Sequence, residues 1–170
     1  MKIFSILILS ILILSSCWPS SVSFTDAGSM PSEWKTFSVK TLEFSAPNAP
    51  ISYSPNLTES VKDGVQNNTR LLLSNQKGSE EVAIEGVVTN YSVTPIAIQP
   101  GDNAAKNRLT ISVNFTIFTS KPTEKKMTLT SSRFADYETS SDFTSIENDL
   151  IEEINQQIVQ DVINKLFSNW

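Results

Sequence analysis

The 170-residue chain contains no histidine, a single cysteine, Cys17, and only five glycines. The lack of histidine removes the commonest general base, the commonest transition-metal ligand and the Ser-His and Cys-His pairings of most nucleophilic hydrolases. A lone cysteine leaves no disulfide and no cysteine-based metal site, so the core must hold by packing. Basic residues are also scarce, 13 against 18 acidic ones for a formal charge of −5. That balance argues against nucleic acid as a partner, because phosphate binding asks for a basic surface. Carboxylates remain for glycosidase-type chemistry, which needs two of them across one cleft. No convincing pair is present: Glu152 and Glu153 are neighbours on a predicted helix and diverge by about 100°, and Glu80 and Glu81 fall in a polar loop. The chain is therefore expected to be no enzyme and to need no cofactor or metal.

An apolar run long enough to cross a membrane is missing too. Ile3 to Leu14 is apolar except for Ser5 and Ser10, with Lys2 in front of it. At about 1.5 Å per residue a helix of that run reaches roughly 18 Å, short of the roughly 30 Å of hydrocarbon it would have to span. It reads as a signal peptide, and Leu14-Ser15-Ser16-Cys17 closes it as a lipobox does. Cleavage before Cys17 and acylation of that residue are expected. Each buried methylene contributes about 0.8 kcal/mol, and more than one chain makes the attachment stable. The expected organisation is a signal peptide over 1–16, a lipidated tether over 17–33 punctuated by Pro19 and Pro31, and one domain over 34–170. That length suits a single core.

What the sequence does contain is periodicity. Lys35 to Phe44, with Phe37, Val39, Leu42 and Phe44, predicts a first strand with a slip in its alternation. Pro47, Pro50 and Pro55 hold the next stretch extended. A helix is expected to follow, capped by Ser54, with Pro55 at its first position and Leu57, Val61 and Val65 on one face; Gly64 weakens it. Arg70 to Leu73 predicts a short strand, parallel to the first because a helix separates them. Val82 to Ile98 is strand-rich, with Val82, Ile84 and Val88 on one side and Val87, Tyr91 and Val93 on the other, and Gly86 marks a bulge or a close backbone approach. After the polar loop from Gln99 comes the clearest strand. Leu109, Ile111, Val113, Phe115 and Ile117 alternate with Thr110, Ser112, Asn114 and Thr116. Lys121 to Lys125 predicts a turn and Lys126 to Phe134 an antiparallel return.

Ile146, Leu150, Ile154, Ile158, Val162 and Leu166 then recur every fourth position, reinforced by Ile151, Val159, Ile163 and Phe167, on a helix whose other face carries Glu147, Asn155 and Asp161. Thr144 with Glu147 predicts a capping box. The sum is an α+β two-layer sandwich, two helices packed on one face of a four- or five-stranded mixed sheet. Such a sheet leaves its hydroxyl-rich outer face for a partner, a barrel wall or lumen included. Cations stand at the ends of the last hairpin, Lys106 and Arg108 at its entry and Lys121, Lys125 and Lys126 at its turn. Lys106, Arg108, Lys125 and Lys126 are candidate contacts to the phosphates of a lipid.

Glu85-Gly86-Val87-Val88-Thr89-Asn90-Tyr91-Ser92-Val93-Thr94-Pro95, Asn107-Arg108-Leu109 and Ser132-Arg133-Phe134-Ala135-Asp136-Tyr137 resemble the LptE-type lipopolysaccharide-assembly lipoproteins of the Bacteroidetes group. Lys35-Thr36-Phe37-Ser38-Val39 and the terminal Asn169-Trp170 extend the likeness over nearly all of the mature chain. The resemblance implies an outer-membrane lipoprotein that plugs the LptD-type β-barrel, helps it fold and assists insertion of lipopolysaccharide into the outer leaflet. Trp18-Pro19-Ser20-Ser21 resembles neither an acidic surface-export signal nor an aspartate retention signal, so the periplasm-facing leaflet of the outer membrane is expected. Two other readings stand beside it: a stand-alone periplasmic lipoprotein that binds lipid or glycan, which would need an enclosed apolar cavity of a few hundred Å³, and a carboxylate-based hydrolase.

Overall fold

The computed structural model describes residues 30–74, 78–96 and 105–168. The leader, Cys17, most of the tether, the loop from Gln99 and the terminal Asn169-Trp170 lie outside the described residues. The elements, in chain order, are β1 (Thr36–Val39), β2 (Glu43–Phe44), α1 (Tyr53–Asn68), β3 (Leu72–Leu73), β4 (Val82–Ile96), β5 (Lys106–Thr119), β6 (Lys125–Glu138) and α2 (Phe143–Phe167). The sheet runs β3-β1-β4-β5-β6, and β2 also pairs with β4. Pairing of β1 with β3 and β4, and of β2 with β4, is parallel; β4 with β5 and β5 with β6 is antiparallel. Both helices pack on one face and against each other. This is the expected α+β architecture on a mixed sheet.

The first predicted strand is two. Between them the Leu42 N–H donates to Thr58 Oγ1 of α1 at 3.1 Å, which takes the backbone off the sheet ladder. That detour is the slip in the alternation. Phe37, Val39 and Leu42 are buried as expected, but Phe44 is exposed.

In β5 the five inward side chains from Leu109 to Ile117 are at most 1% exposed. At about 1.5–3 kcal/mol for each large apolar side chain, that row is a main contributor to the core. The register of β4 against β5 shifts between Val88 and Asn90. This bulge moves Tyr91 to the same inner face as Val88, where it is buried, and not to the other side as strict alternation predicts. Gly86, three residues earlier, is the close approach. A Cβ there would stand 2.7 Å from Leu42 Cδ2 and 2.9 Å from Phe115 Cδ1.

Helix α1 starts at Tyr53, with Ser52 at its cap and no side-chain capping bond, so the cap expected at Ser54 lies two residues too late. Pro55 is the third helical residue and not the first, and it still fits because the first turn has no intrahelical use for its missing N–H. The buried Tyr53 explains the earlier start: its ring packs edge-on against Tyr91 at 5.8 Å and its hydroxyl donates to Asn155 Oδ1 at 2.8 Å. Asn155 is thus a buried partner and not part of the wet face of α2. Burial holds the Tyr53 phenol well above its ordinary pKa. Gly64 lets the helices touch, since a Cβ there would lie 2.1 Å from Val159 Cγ1.

The capping box on α2 does not form. Asp142 is the cap, accepting from the Thr144 N–H, and Glu147 instead accepts a hydrogen bond from the buried Tyr91 hydroxyl. The apolar stripe from Leu150 to Leu166 is buried as expected. Asp161, expected on the solvated face, receives the Arg133 guanidinium and the Ser131 hydroxyl from β6. Burial pushes its carboxyl up, and the bonds from Arg133 and Ser131 bring it below the usual range.

Candidate functional site

Because both helices lie on one side, the alternate side chains of β4, β5 and β6 stand on a layer that no helix of the described residues covers. Register places them in cross-strand rows: Thr94, Arg108 and Asp136; Ser92, Thr110 and Phe134; Asn90, Ser112 and Ser132; Val87, Asn114 and Thr130; Glu85, Thr116 and Thr128; Ala83, Phe118 and Lys126. The middle rows carry short hydroxyls and amides. Ser112 and Ser132 bond across strands at 2.9 Å, and Thr130 donates to Asn114 Oδ1 at 2.9 Å. Such side chains keep the middle of the face flat and rich in donors and acceptors, with Glu85 the one charge between its two ends.

Each end of this polar band carries an aromatic ring with a cation over it. Arg108 lies 3.6 Å from the centre of the Phe134 ring and forks onto Asp136 at 2.6 and 2.9 Å. The guanidinium holds the Asp136 carboxyl below the usual carboxylate range, and the carboxylate raises Arg108 in turn. At the other end Lys126 lies 5.7 Å from the Phe118 ring. Phe118 and Phe134 are 39% and 46% exposed, enough to offer apolar contact to a partner.

The four candidate lipid contacts do not converge. Lys106 and Arg108 face Glu138 and Asp136 at one end, whereas Lys125 and Lys126 face Thr119 and Phe118 at the other. Ten residues of strand separate Arg108 from Phe118, roughly 33 Å at about 3.3 Å per residue. Lys121 pairs with Glu81 at 3.2 Å, and Glu81 also accepts from the Thr36 N–H at 2.9 Å and from its hydroxyl. Those bonds, Thr36 first and Lys121 after it, bring Glu81 down to about 2. Glu81 thereby joins β1 to the hairpin tip and is a structural carboxylate, not half of an acid pair.

The strand alternation over 109–117 pointed to part of this face. Asn90, Ser92, Thr130, Ser132, Phe134 and Phe118 were missed, although the period-two pattern of 125–138 carries the signal for those in β6. The β4 members were hidden by the bulge, which reverses the phase after Val88.

No group of three or more metal-ligating side chains occurs among the described residues. Nor is any helix among them long and apolar enough to cross a membrane. Among the described residues, a hollow of about 590 Å³ between α1 and α2 is lined mostly by carboxamides and acids such as Asn56, Asp63, Asn148 and Glu152, and is not the apolar cavity a lipid carrier needs. The described residues thus define an α+β protein whose mixed sheet is backed by helices on one face and open and polar on the other.

The chain belongs to the LptE family, lipopolysaccharide-assembly, whose model matches residues 39–166. It is a lipopolysaccharide-assembly protein of a non-catalytic family. The fold is similar to that of a protein from Xanthomonas campestris, at a TM-score of 0.54 and 13% identity, covering 82% of this chain and 87% of that one. It is also similar to uncharacterized lipoprotein B from Nitrosomonas europaea, at 0.51 and 13% identity, covering 84% and 87%. No curated protein matches the chain.

Proposed function

We propose that the protein is an outer-membrane lipoprotein, anchored by acylated Cys17 on the periplasmic side, that plugs an LptD-type β-barrel, supports its assembly and assists lipopolysaccharide insertion. Family membership supplies the process, and the observation that carries the plug is the helix-free outer face of β4, β5 and β6. A barrel lumen is lined by polar side chains that alternate with lipid-facing ones, and a band of hydroxyls and amides edged by two aromatic–cation pairs complements it. Lys106, Arg108, Lys125 and Lys126 are the proposed glycolipid contacts, two at each end of the face, with Arg108 available only by exchanging Asp136 for a phosphate.

Gentle detergent extraction is expected to bring a large outer-membrane barrel down with the tagged protein. Recovery of the chain alone at every step would refute the plug. Cys17→Ala is expected to leave the leader uncleaved and to abolish palmitate labelling; labelling at the wild-type level would refute the anchor.

A further inference from the structure

β6 closes the long side of the sheet, and among the described residues no strand pairs with its outer edge. The open edge runs for 14 residues, Lys125–Glu138, a row of backbone donors and acceptors long enough to template another strand. Edges of this length are commonly shortened, capped by proline or covered. β6 contains no proline, and α2 is bound to its inner face through Arg133 and Asp161.

We infer that this edge pairs with the same edge of a second copy, antiparallel, about a two-fold axis at Ser132. The side-chain pattern of β6 is self-complementary in that register. Lys126 of one copy falls opposite Glu138 of the other, Thr128 opposite Asp136, and Thr130 opposite Phe134 on the outer face. On the inner face Met127 meets Tyr137, Leu129 meets Ala135, and Ser131 meets Arg133. Both ends of the paired edge therefore carry an opposite-charge pair, and each apolar residue meets an apolar one or the methyl of a threonine.

Lys126, which lies over the Phe118 ring, and Glu138 make no ion pair within their own chain among the described residues, so the pairing gives each an opposite charge that its own chain does not supply. Neighbouring registers lack this match. A two-fold at Ser131 sets Glu138 opposite Glu124 and Leu129 opposite Arg133; one at Arg133 brings two guanidiniums together. Registers in between turn inner side chains to the outer face. The result is one continuous sheet with four helices on the same side and two polar faces merged on the other.

Cysteine cross-linking tests this directly, because the chain has only one native thiol. In the full chain carrying Cys17→Ala, purified in detergent without any partner, Ser132→Cys is expected to form an intermolecular disulfide on mild oxidation. At the axis the two Cα atoms stand about 4.5–5.5 Å apart, within disulfide reach. Thr130→Cys is expected to stay monomeric, since its copy lies about 13 Å away along the strand, whereas the double variant Thr130→Cys/Phe134→Cys cross-links. In sedimentation, Lys126→Glu weakens dimerisation at least about tenfold and Lys126→Glu/Glu138→Lys restores it. A monomeric chain, no cross-link at Ser132, or equal cross-linking at Thr130 and Ser132 would overturn the inference. Omitting the barrel keeps this outcome separate from that of the plug.

Discussion

Gly64 sits where the two helices meet, and its lack of a side chain is a packing requirement rather than a weakness of α1. Alanine would gain about 1 kcal/mol of helix propensity but would drive a methyl into Val159 Cγ1, an overpacking that costs about 1–3 kcal/mol. Gly64→Ala is expected to lower the thermal midpoint, and adding Val159→Ala to recover part of the loss; a single variant that melts higher than wild type would contradict the close approach. Glu81 makes the acid side of stability testable. Its folded pKa lies near 2, below its ordinary 4.5, so its contribution is complete above about pH 4.5 and is lost as pH falls toward 2. Glu81→Gln is expected to melt lower at pH 6 yet to lose less than wild type between pH 5 and pH 2.5, as read by circular dichroism. Neither role was visible in the sequence, where Gly64 is a poor helix former and Glu81 a loop charge, because both depend on residues far along the chain.

Among the elements, β5 and the stripe of α2 were legible for the same reason: each repeats one period over many residues, and a single face meets the core. Truncation there should be costly. Ile154→Ala removes a fully buried side chain and is expected to cost about 2–5 kcal/mol in denaturant unfolding, whereas Ile51→Ala, 93% exposed, should change stability by less than about 0.5 kcal/mol. The break between β1 and β2, the bulge in β4 and the start of each helix were not legible. Thr58 draws Leu42 off the ladder, Tyr53 starts α1 two residues early, and Glu147 leaves its cap for Tyr91. In each case a long-range hydrogen bond outweighs a local preference worth about 1 kcal/mol or less.

At the scale of the molecule, folding uses one face of the sheet and the proposed docking uses the other, so the two are expected to be separable. Asn114→Lys puts a long cation in the middle of the exposed polar band; it is expected to alter stability by no more than about 0.5 kcal/mol while reducing barrel co-purification at least about tenfold. Undiminished capture by the folded variant would show that the band is not the docking surface. The sequence by itself determined the absence of histidine and disulfide chemistry, the lipobox pattern, the α+β class and the alternation that divides β5 into a dry and a wet side, because composition and periodicity are properties of neighbouring residues. Tertiary structure alone decided which polar residues share the open face, that the four candidate cations stand at two distant ends, and that β6 is left as the edge. Those depend on strand order and on a register reversed by one bulge, and both are settled only when distant segments pair.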